Sequence, residues 1–220
     1  MDIQSSDLVV RIPGRTEPLF KLRSMDIPFG SRILIHGPSG KGKTTLLHLL
    51  SGQFLPDEGD IKAGGQSLKD MGGEARRRLR RRHYGIIFQR LNLFPHLDAL
   101  ENALLGQADG LQRKSEASRG YRNALAALDR MGLGSQARQR CGSMSPGEQQ
   151  RVAVARVVAA APDIILADEP TSSLDKGNAE TVMHALCDVS EGRTLVVVSH
   201  DDRIHAYFKS VWDFADLVDA

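Results

Sequence analysis

Apolar residues along this chain recur with two periods, and the order in which those periods alternate predicts an α/β protein. Leu8-Val9-Val10-Arg11-Ile12 reads as a first strand, ended by Pro13-Gly14. A second strand covers Leu19 to Ile27, and Pro28-Phe29-Gly30-Ser31 turns it into a third, Arg32-Ile33-Leu34-Ile35. The period then lengthens: Thr45 to Leu50 reads as a helix that Gly52 closes as a C-cap. Pro56-Asp57-Glu58-Gly59-Asp60 is a turn before a short strand at Ile61-Lys62-Ala63. Glu74 to His83 reads as a short solvated helix, and Tyr84 to Gln89 as a strand that ends on a polar residue.

From Leu97 to Met144 the strand signal is lost. Apolar residues recur at helical spacing around Leu100, Ala103 and Leu104, and again at Leu125, Leu128 and Met131. Glycines at 106, 110, 120, 132 and 134 punctuate short helices. Ser145-Pro146-Gly147-Glu148 is a helix start, with a capping serine, proline at the first helical position and glutamate three residues after the cap. That helix runs to about Ala161, where Pro162 stops it. With it, the helical subdomain inserted into the α/β core spans about residues 95–160 of a single 1–220 domain. Ile164 to Ala167 is an apolar strand delivering Asp168 and Glu169 at its carboxyl end, where open α/β sheets place ligands. A helix from about Asn178 to Ser190 and a strand from Thr194 to Val198 follow, ending in Ser199-His200-Asp201.

Composition narrows the classes of function. Hydrophobic and charged contents of 41% and 25% are ordinary for a globular protein, and a formal net charge of +2 gives no global electrostatic case for nucleic acid. The six arginines at 76, 77, 78, 80, 81 and 82 form too short a run to change that, and read as a solvated helix face. Cys141 and Cys187 have neither metal nor redox spacing, which suits a reducing compartment. Met1 to Asp7 lacks the basic and apolar regions of a signal peptide. No stretch approaches the roughly 18 apolar residues that span a bilayer; Val152 to Ala167 is interrupted by Arg156 and Asp163. The expectation is a cytoplasmic chain whose membrane work, if any, needs a partner.

Gly37-Pro38-Ser39-Gly40-Lys41-Gly42-Lys43-Thr44-Thr45 matches G-x-x-x-x-G-K-[ST], the P-loop. Its glycines let successive backbone N–H groups turn inward around phosphate oxygens. Lys43 can reach the terminal phosphates, the Thr44 hydroxyl can ligate Mg²⁺, and the helix N-terminus that follows favours negative charge. The flanking strand and helix are the context the motif requires. The predicted fold is therefore a P-loop NTPase core with a mixed or parallel sheet, an N-terminal antiparallel β region and the inserted helical subdomain.

At the level of the whole chain, the order of motifs resembles the ATP-binding subunit of an ABC transporter. Gln89 stands at the Q-loop position, and Met144-Ser145-Pro146-Gly147-Glu148 stands where the family writes L-S-G-G-Q. Ile164 to Asp168 matches the Walker B strand with Glu169 attached, Ser172-Ser173-Leu174-Asp175 matches the D-loop, and His200 the switch histidine. Asp168 at a strand end can hold Mg²⁺, and Glu169 stands where the family keeps its general base. The resemblance further implies that Gln89 contacts both Mg²⁺ and water and senses a membrane partner, and that His200 contacts the γ-phosphate. It implies that Ser145, Gly147 and Glu148 close the ATP site of a second subunit, so that two ATP molecules join a homodimer or a heterodimer of ATPase subunits. An integral membrane permease is the partner so implied, and it would hold this chain at the inner face of the cell membrane; nucleic acid is not implied.

Two positions depart from the family pattern. Pro146 replaces the first signature glycine and lacks an N–H, so hydrolysis is expected to be active but slowed. No aromatic residue occurs between Met1 and Pro18 to stack on adenine; Arg11 is the substitute considered, with loose base selectivity as the consequence. The six histidines other than His200 read as packing or surface residues, and His36 is the odd one among them, because the family usually places an apolar residue there. About twenty residues follow His200 in this sequence, so no regulatory C-terminal domain is expected within it.

Thr44 to Gly52, Leu100-Glu101-Asn102 and the Gly147-Glu148 ending resemble the lipoprotein-releasing and macrolide-export branch, which implies export or extraction of a lipoprotein, peptide or drug-like substrate. The alternative is a regulatory clamp signalling through a membrane partner, as in the cell-division ATPase. DNA-repair and translation members carry paired ATPase domains or long coiled coils, and a P-loop small-molecule kinase does not need the Ser145 segment.

Overall fold

The computed structural model describes residues 1–107 and 118–219 and builds them around two sheets. Gly110, expected to punctuate the helical stretch, lies outside the described residues. The first sheet is antiparallel and contains β1 (Ile3–Val10), β2 (Phe20–Ile27), β4 (Glu58–Ala63) and β5 (Gln66–Ser67), in the order β2-β1-β4-β5. The second is parallel and contains β3 (Arg32–His36), β6 (Tyr84–Ile87), β7 (Ile164–Asp168), β8 (Thr194–Ser199) and β9 (Ser210–Asp213), in the order β6-β7-β8-β3-β9.

β1 begins at Ile3, well before the expected Leu8. Its inward residues are Ile3 and Ser5, then Leu8 and Val10, so the buried set changes phase within the strand. The cause is an irregularity in the β1–β4 pairing between Ser6 and Val9, with Asp7 at φ 49°. An extra residue in one strand shifts every later side chain to the other face, which defeats a search for strict alternation. Opposite this point, a side chain on Gly59 (φ 87°) would run into the Ser6 and Asp7 carbonyls, so the partner strand needs glycine there.

β9 and β5 were not expected. β9 is a short edge strand, Ser-Val-Trp-Asp, with Val211 largely exposed, and it pairs with β3 from Ile33↔Ser210 to His36↔Asp213. Its ladder with β3 makes it a strand where its own sequence has no clear period.

The parallel strands read as continuous apolar runs because both of their faces are covered. Ile165, Ala167, Leu195 and Val197 join the core shared with α3 (Ala99–Leu104), α4 (Arg119–Arg130), α5 (Pro146–Ala160) and α6 (Lys176–Val189). Ile164, Leu166, Val196 and Val198 face the other way, onto α1 (Lys43–Leu50) and the inner face of the antiparallel sheet. α2 (Gly73–His83) buries none of its residues, as its arginine run suggested. Two of those arginines hold neighbouring backbone: Arg76 donates to the Leu68 and Met71 carbonyls at 3.2 and 2.5 Å, and Arg80 to that of Gly52 at 2.6 Å. α7 (Phe214–Leu217) closes the chain, its Phe214 packed edge-on against Phe20 at 5.6 Å.

Candidate nucleotide site

β3 delivers the chain to Gly37, and α1 begins at Lys43. Gly42 is the N-cap of α1, with φ 110° and no side-chain cap, so the first N–H groups of the helix are left for a ligand. A Cβ at Gly42 would sit 2.8 Å from the Phe20 ring, a second reason for glycine there. Lys43 is buried, and its Nζ folds back to donate to the carbonyls of Gly37 at 2.6 Å and Pro38 at 2.8 Å. Burial lowers its pKa, against the raising effect of the Glu169 and Asp168 charges. A phosphate entering the loop would replace two neutral acceptors with a charged one, a stronger partner for the ammonium.

The two carboxylates leave the C-terminal end of β7 in different environments. Asp168 is buried and accepts a hydrogen bond from Thr44 Oγ1 at 2.7 Å. Burial raises its pKa and the Thr44 hydrogen bond opposes this, while the Glu169 charge adds to it. Glu169 has φ 50°, a left-handed backbone that costs a non-glycine residue on the order of 1–3 kcal/mol and points to function. Its N–H donates to the Val198 carbonyl at 2.9 Å, tying the turn to β8. Its carboxylate accepts from Ser199 Oγ at 2.7 Å and from the His200 backbone N–H at 3.2 Å, and lies 2.6 Å from His200 Nδ1.

The cleft between these groups has a volume of about 300 Å³ and is lined by Ser39, Gly40, Gly42, Lys43, Thr44, Thr45, Gln89, Asp168 and Glu169, with Ile12 and Leu19 at its apolar end. Thr44, Asp168 and Gln89 thus offer hydroxyl, carboxylate and amide oxygens to one space. That hard-oxygen set, with a carboxyl whose charge is under-compensated by burial, fits Mg²⁺.

Ser145, Gly147 and Glu148 are not among the residues lining that cleft; they start α5. Ser145 caps the helix: its Oγ accepts from the Glu148 N–H at 3.3 Å, and its own N–H donates to Glu148 Oε2 at 2.8 Å. The other Glu148 oxygen accepts from Gln136 at 2.5 Å, so the carboxylate is held at its own helix end. Ser145 and Pro146 are exposed.

The structure corrects the expectation that Arg11 replaces the aromatic residue under the base. Its guanidinium pairs with Glu58 at 2.8 Å and its N–H donates to Asp57 at 2.7 Å, which draws it to β4. Ile12 and Leu19 line the cleft and Arg11 does not. The available signal was an apolar residue just beyond the strand and just before Pro13-Gly14. Ser199 was also missed as a functional residue; a serine at the end of an apolar strand carries no mark of the carboxylate it will meet.

The ABC transporter family profile matches residues 20–172. The lipoprotein-releasing system ATP-binding protein LolD of Maricaulis maris is 36% identical over 90% of this chain and 86% of its own length. The macrolide export ATP-binding/permease protein MacB of Burkholderia pseudomallei is 36% identical over 88% of this chain, which spans only 29% of that protein. Among solved structures, the dimeric post-hydrolysis state of the ATP-binding cassette MJ0796, bound to ADP and phosphate, superposes with a TM-score of 0.87 at 31% identity, covering 95% of this chain and 92% of the other.

Proposed function

The chain belongs to the ABC transporter family, and we propose that it is the ATP-binding and ATP-hydrolysing subunit that drives a separate membrane permease. The observation that carries this reading is the convergence on one cleft of the P-loop, the Thr44–Asp168 pair and a buried glutamate beside His200. Lys43 and the free N–H groups of α1 bind the β- and γ-phosphates. Thr44, Asp168 and Gln89 hold Mg²⁺, which neutralises phosphate charge when bound. Glu169 orients the attacking water and accepts its proton as the bond between the γ-phosphorus and the bridging oxygen breaks, leaving ADP and phosphate. His200, beside Glu169 and half exposed, contacts the γ-phosphate and fixes that water. Ile12 and Leu19 supply an aliphatic bed for the base, without a ring to stack or a donor to read its edge, and base selection is correspondingly loose.

The exposed start of α5 supports a two-subunit site. Ser145 and Gly147 have no role in their own cleft, and the matched MJ0796 cassette is dimeric. A second copy, or a related subunit, closes each site with these residues. Residues 95–160 form the inserted helical subdomain that carries them. A pocket of about 540 Å³ shares Thr44, Gln89 and Asp168 with the nucleotide cleft and opens among Phe54, Phe88 and Asn92. Phe54 at 57% exposure, and Phe94 at 49% in an adjoining pocket that shares Phe88 and Asn92, mark an apolar surface for the permease and link that surface to Gln89. No helix among the described residues is long and apolar enough to cross a membrane, so attachment at the inner membrane face runs through that partner. The likeness to LolD and MacB supports export or extraction of a lipoprotein, peptide or drug-like substrate.

The test is purification of the chain with its membrane partner, followed by phosphate release from Mg-ATP with and without extracted substrate. A co-purifying multi-span permease with substrate-stimulated release is the expected result. A partner that activates an envelope hydrolase, with no transport, would replace this reading by the signalling clamp.

A further inference from the structure

His36, which no step above uses, lies against two residues from the segment after His200. His36 Nδ1 is 3.2 Å from His205 Nε2, and the rings meet edge to face at 4.7 Å between centroids. Asp202 Oδ1 is 3.7 Å from His205 Nε2 and 3.7 Å from His36 Nε2. One donor atom from each of the three residues falls within 4.8 Å of the others. His36 and His205 are partly buried, whereas Asp202 is exposed, so the cluster is open to solvent on one side.

The separations are those of a metal-ligand set. Ligand nitrogens about 2.1 Å from a tetrahedral Zn²⁺ stand about 3.4 Å apart, and two of the pairs here are 3.2 and 3.7 Å. Without a cation, the two imidazoles can share only one proton between their facing nitrogens. Arg203, next to Asp202, directs its guanidinium at Asp201 at 2.8 Å instead. Two imidazoles and a carboxylate favour borderline cations over hard ones.

We propose that His36, Asp202 and His205 form a binding site for a divalent transition cation of the Zn²⁺, Ni²⁺ or Co²⁺ class, separate from the Mg²⁺ position in the nucleotide cleft. Three protein ligands leave at least one position to water. The site bridges two elements that adjoin the nucleotide residues. His36 ends β3 immediately before Gly37, and Asp202 and His205 lie in the 3₁₀ turn Asp202–Tyr207 that follows His200. A bound cation pins that turn to the strand feeding the P-loop.

The experiment is titration of nucleotide-free protein with Co²⁺ in the presence of excess Mg²⁺, read by visible d–d absorption, with thermal unfolding under Zn²⁺ and Ni²⁺ as a second readout. About one equivalent should bind with tetrahedral or five-coordinate intensity, and Zn²⁺ should raise the Tm. His36→Gln and His205→Gln should each weaken Co²⁺ binding by roughly tenfold or more and remove the Zn²⁺-dependent Tm rise, with metal-free Tm and far-UV circular dichroism near the parent values. His184→Gln serves as the control and should bind as the parent does. Parent-like titrations in both cluster variants, or no saturable Co²⁺ signal in the parent, would overturn the proposal. Should either variant lose its fold, Asp202→Asn at the exposed ligand decides the question by the same two readouts.

Discussion

His200 Nδ1 lies 2.6 Å from Glu169 Oε1, and the His200 backbone N–H donates to the same oxygen at 3.2 Å. With Ser199 Oγ on Oε2 at 2.7 Å, both oxygens of the proposed base are engaged. Glu169 is thereby held towards β8. Oε2, with one hydrogen bond, keeps a lone pair for a water, so His200 and Ser199 act as restraints that aim the base.

Glu169→Gln keeps the size and hydrogen-bonding reach of the side chain but removes its basicity. We expect phosphate release to fall by roughly 10²–10⁴-fold, the usual worth of a positioned base, with ATP affinity within a few-fold of the parent. The same variant should accumulate an ATP-dependent dimer in size-exclusion light scattering. Turnover close to that of the parent would remove Glu169 from the role of base.

Ile12→Tyr places a ring at the apolar end of the cleft, where Ile12 and Leu19 now lie. Base–aromatic stacking contributes about 1–3 kcal/mol, so nucleotide affinity should rise by roughly 5- to 150-fold. The parent should bind GTP and ATP with similar affinities in competition assays. Strict ATP preference in the parent would show that the aliphatic bed is not what sets base selection.

Pro146→Gly restores an N–H at the start of α5 and removes the ring that presets its first turn. If the missing donor slows hydrolysis, the variant should turn over faster, while losing about 0.5–1 kcal/mol of stability through backbone freedom. Steady-state ATPase rates and chemical denaturation separate the two effects. A rate below the parent's would refute the view of Pro146 as a handicap.

Asp201 contributes to the acid limb of stability. Its carboxylate accepts from Arg203 at 2.8 Å and from Thr171 Oγ1 at 2.9 Å. The Arg203 hydrogen bond first, against the opposing effect of burial, holds its pKa down to about 2 from the ordinary 3.8. A lowered carboxyl contributes stability that is complete above its unfolded value and is lost as pH falls through its folded one. Unfolding free energy should therefore decline between about pH 4 and pH 2, and Asp201→Asn should remove this part of the slope. The substitution should also cost about 1 kcal/mol at neutral pH, as a partly exposed network loses its charged acceptor. An unchanged acid slope would assign the pH dependence elsewhere.

The readable parts of this protein were those in which function and local backbone share the same few residues. The P-loop glycines, the Ser145–Glu148 capping box and the doubly covered strands declare themselves within short windows, because turn geometry, capping and burial on both faces act over neighbouring positions. The order of the motifs along the chain carried the family resemblance. Contacts between distant segments were beyond that reach. Pairing between β1 and β4 set the irregularity that hid half of the first strand, and pairing with β3 made a strand of Ser210–Asp213. An ion pair to Glu58 drew Arg11 away and left Ile12 and Leu19 at the apolar end of the cleft. The same is true of Glu169 with Ser199 and His200, and of His36 with His205, 169 positions apart in the chain. Local sequence determines which backbone forms are cheap; which side chains meet is decided by packing two sheets and their helices together, and the chemistry of the site depends on both.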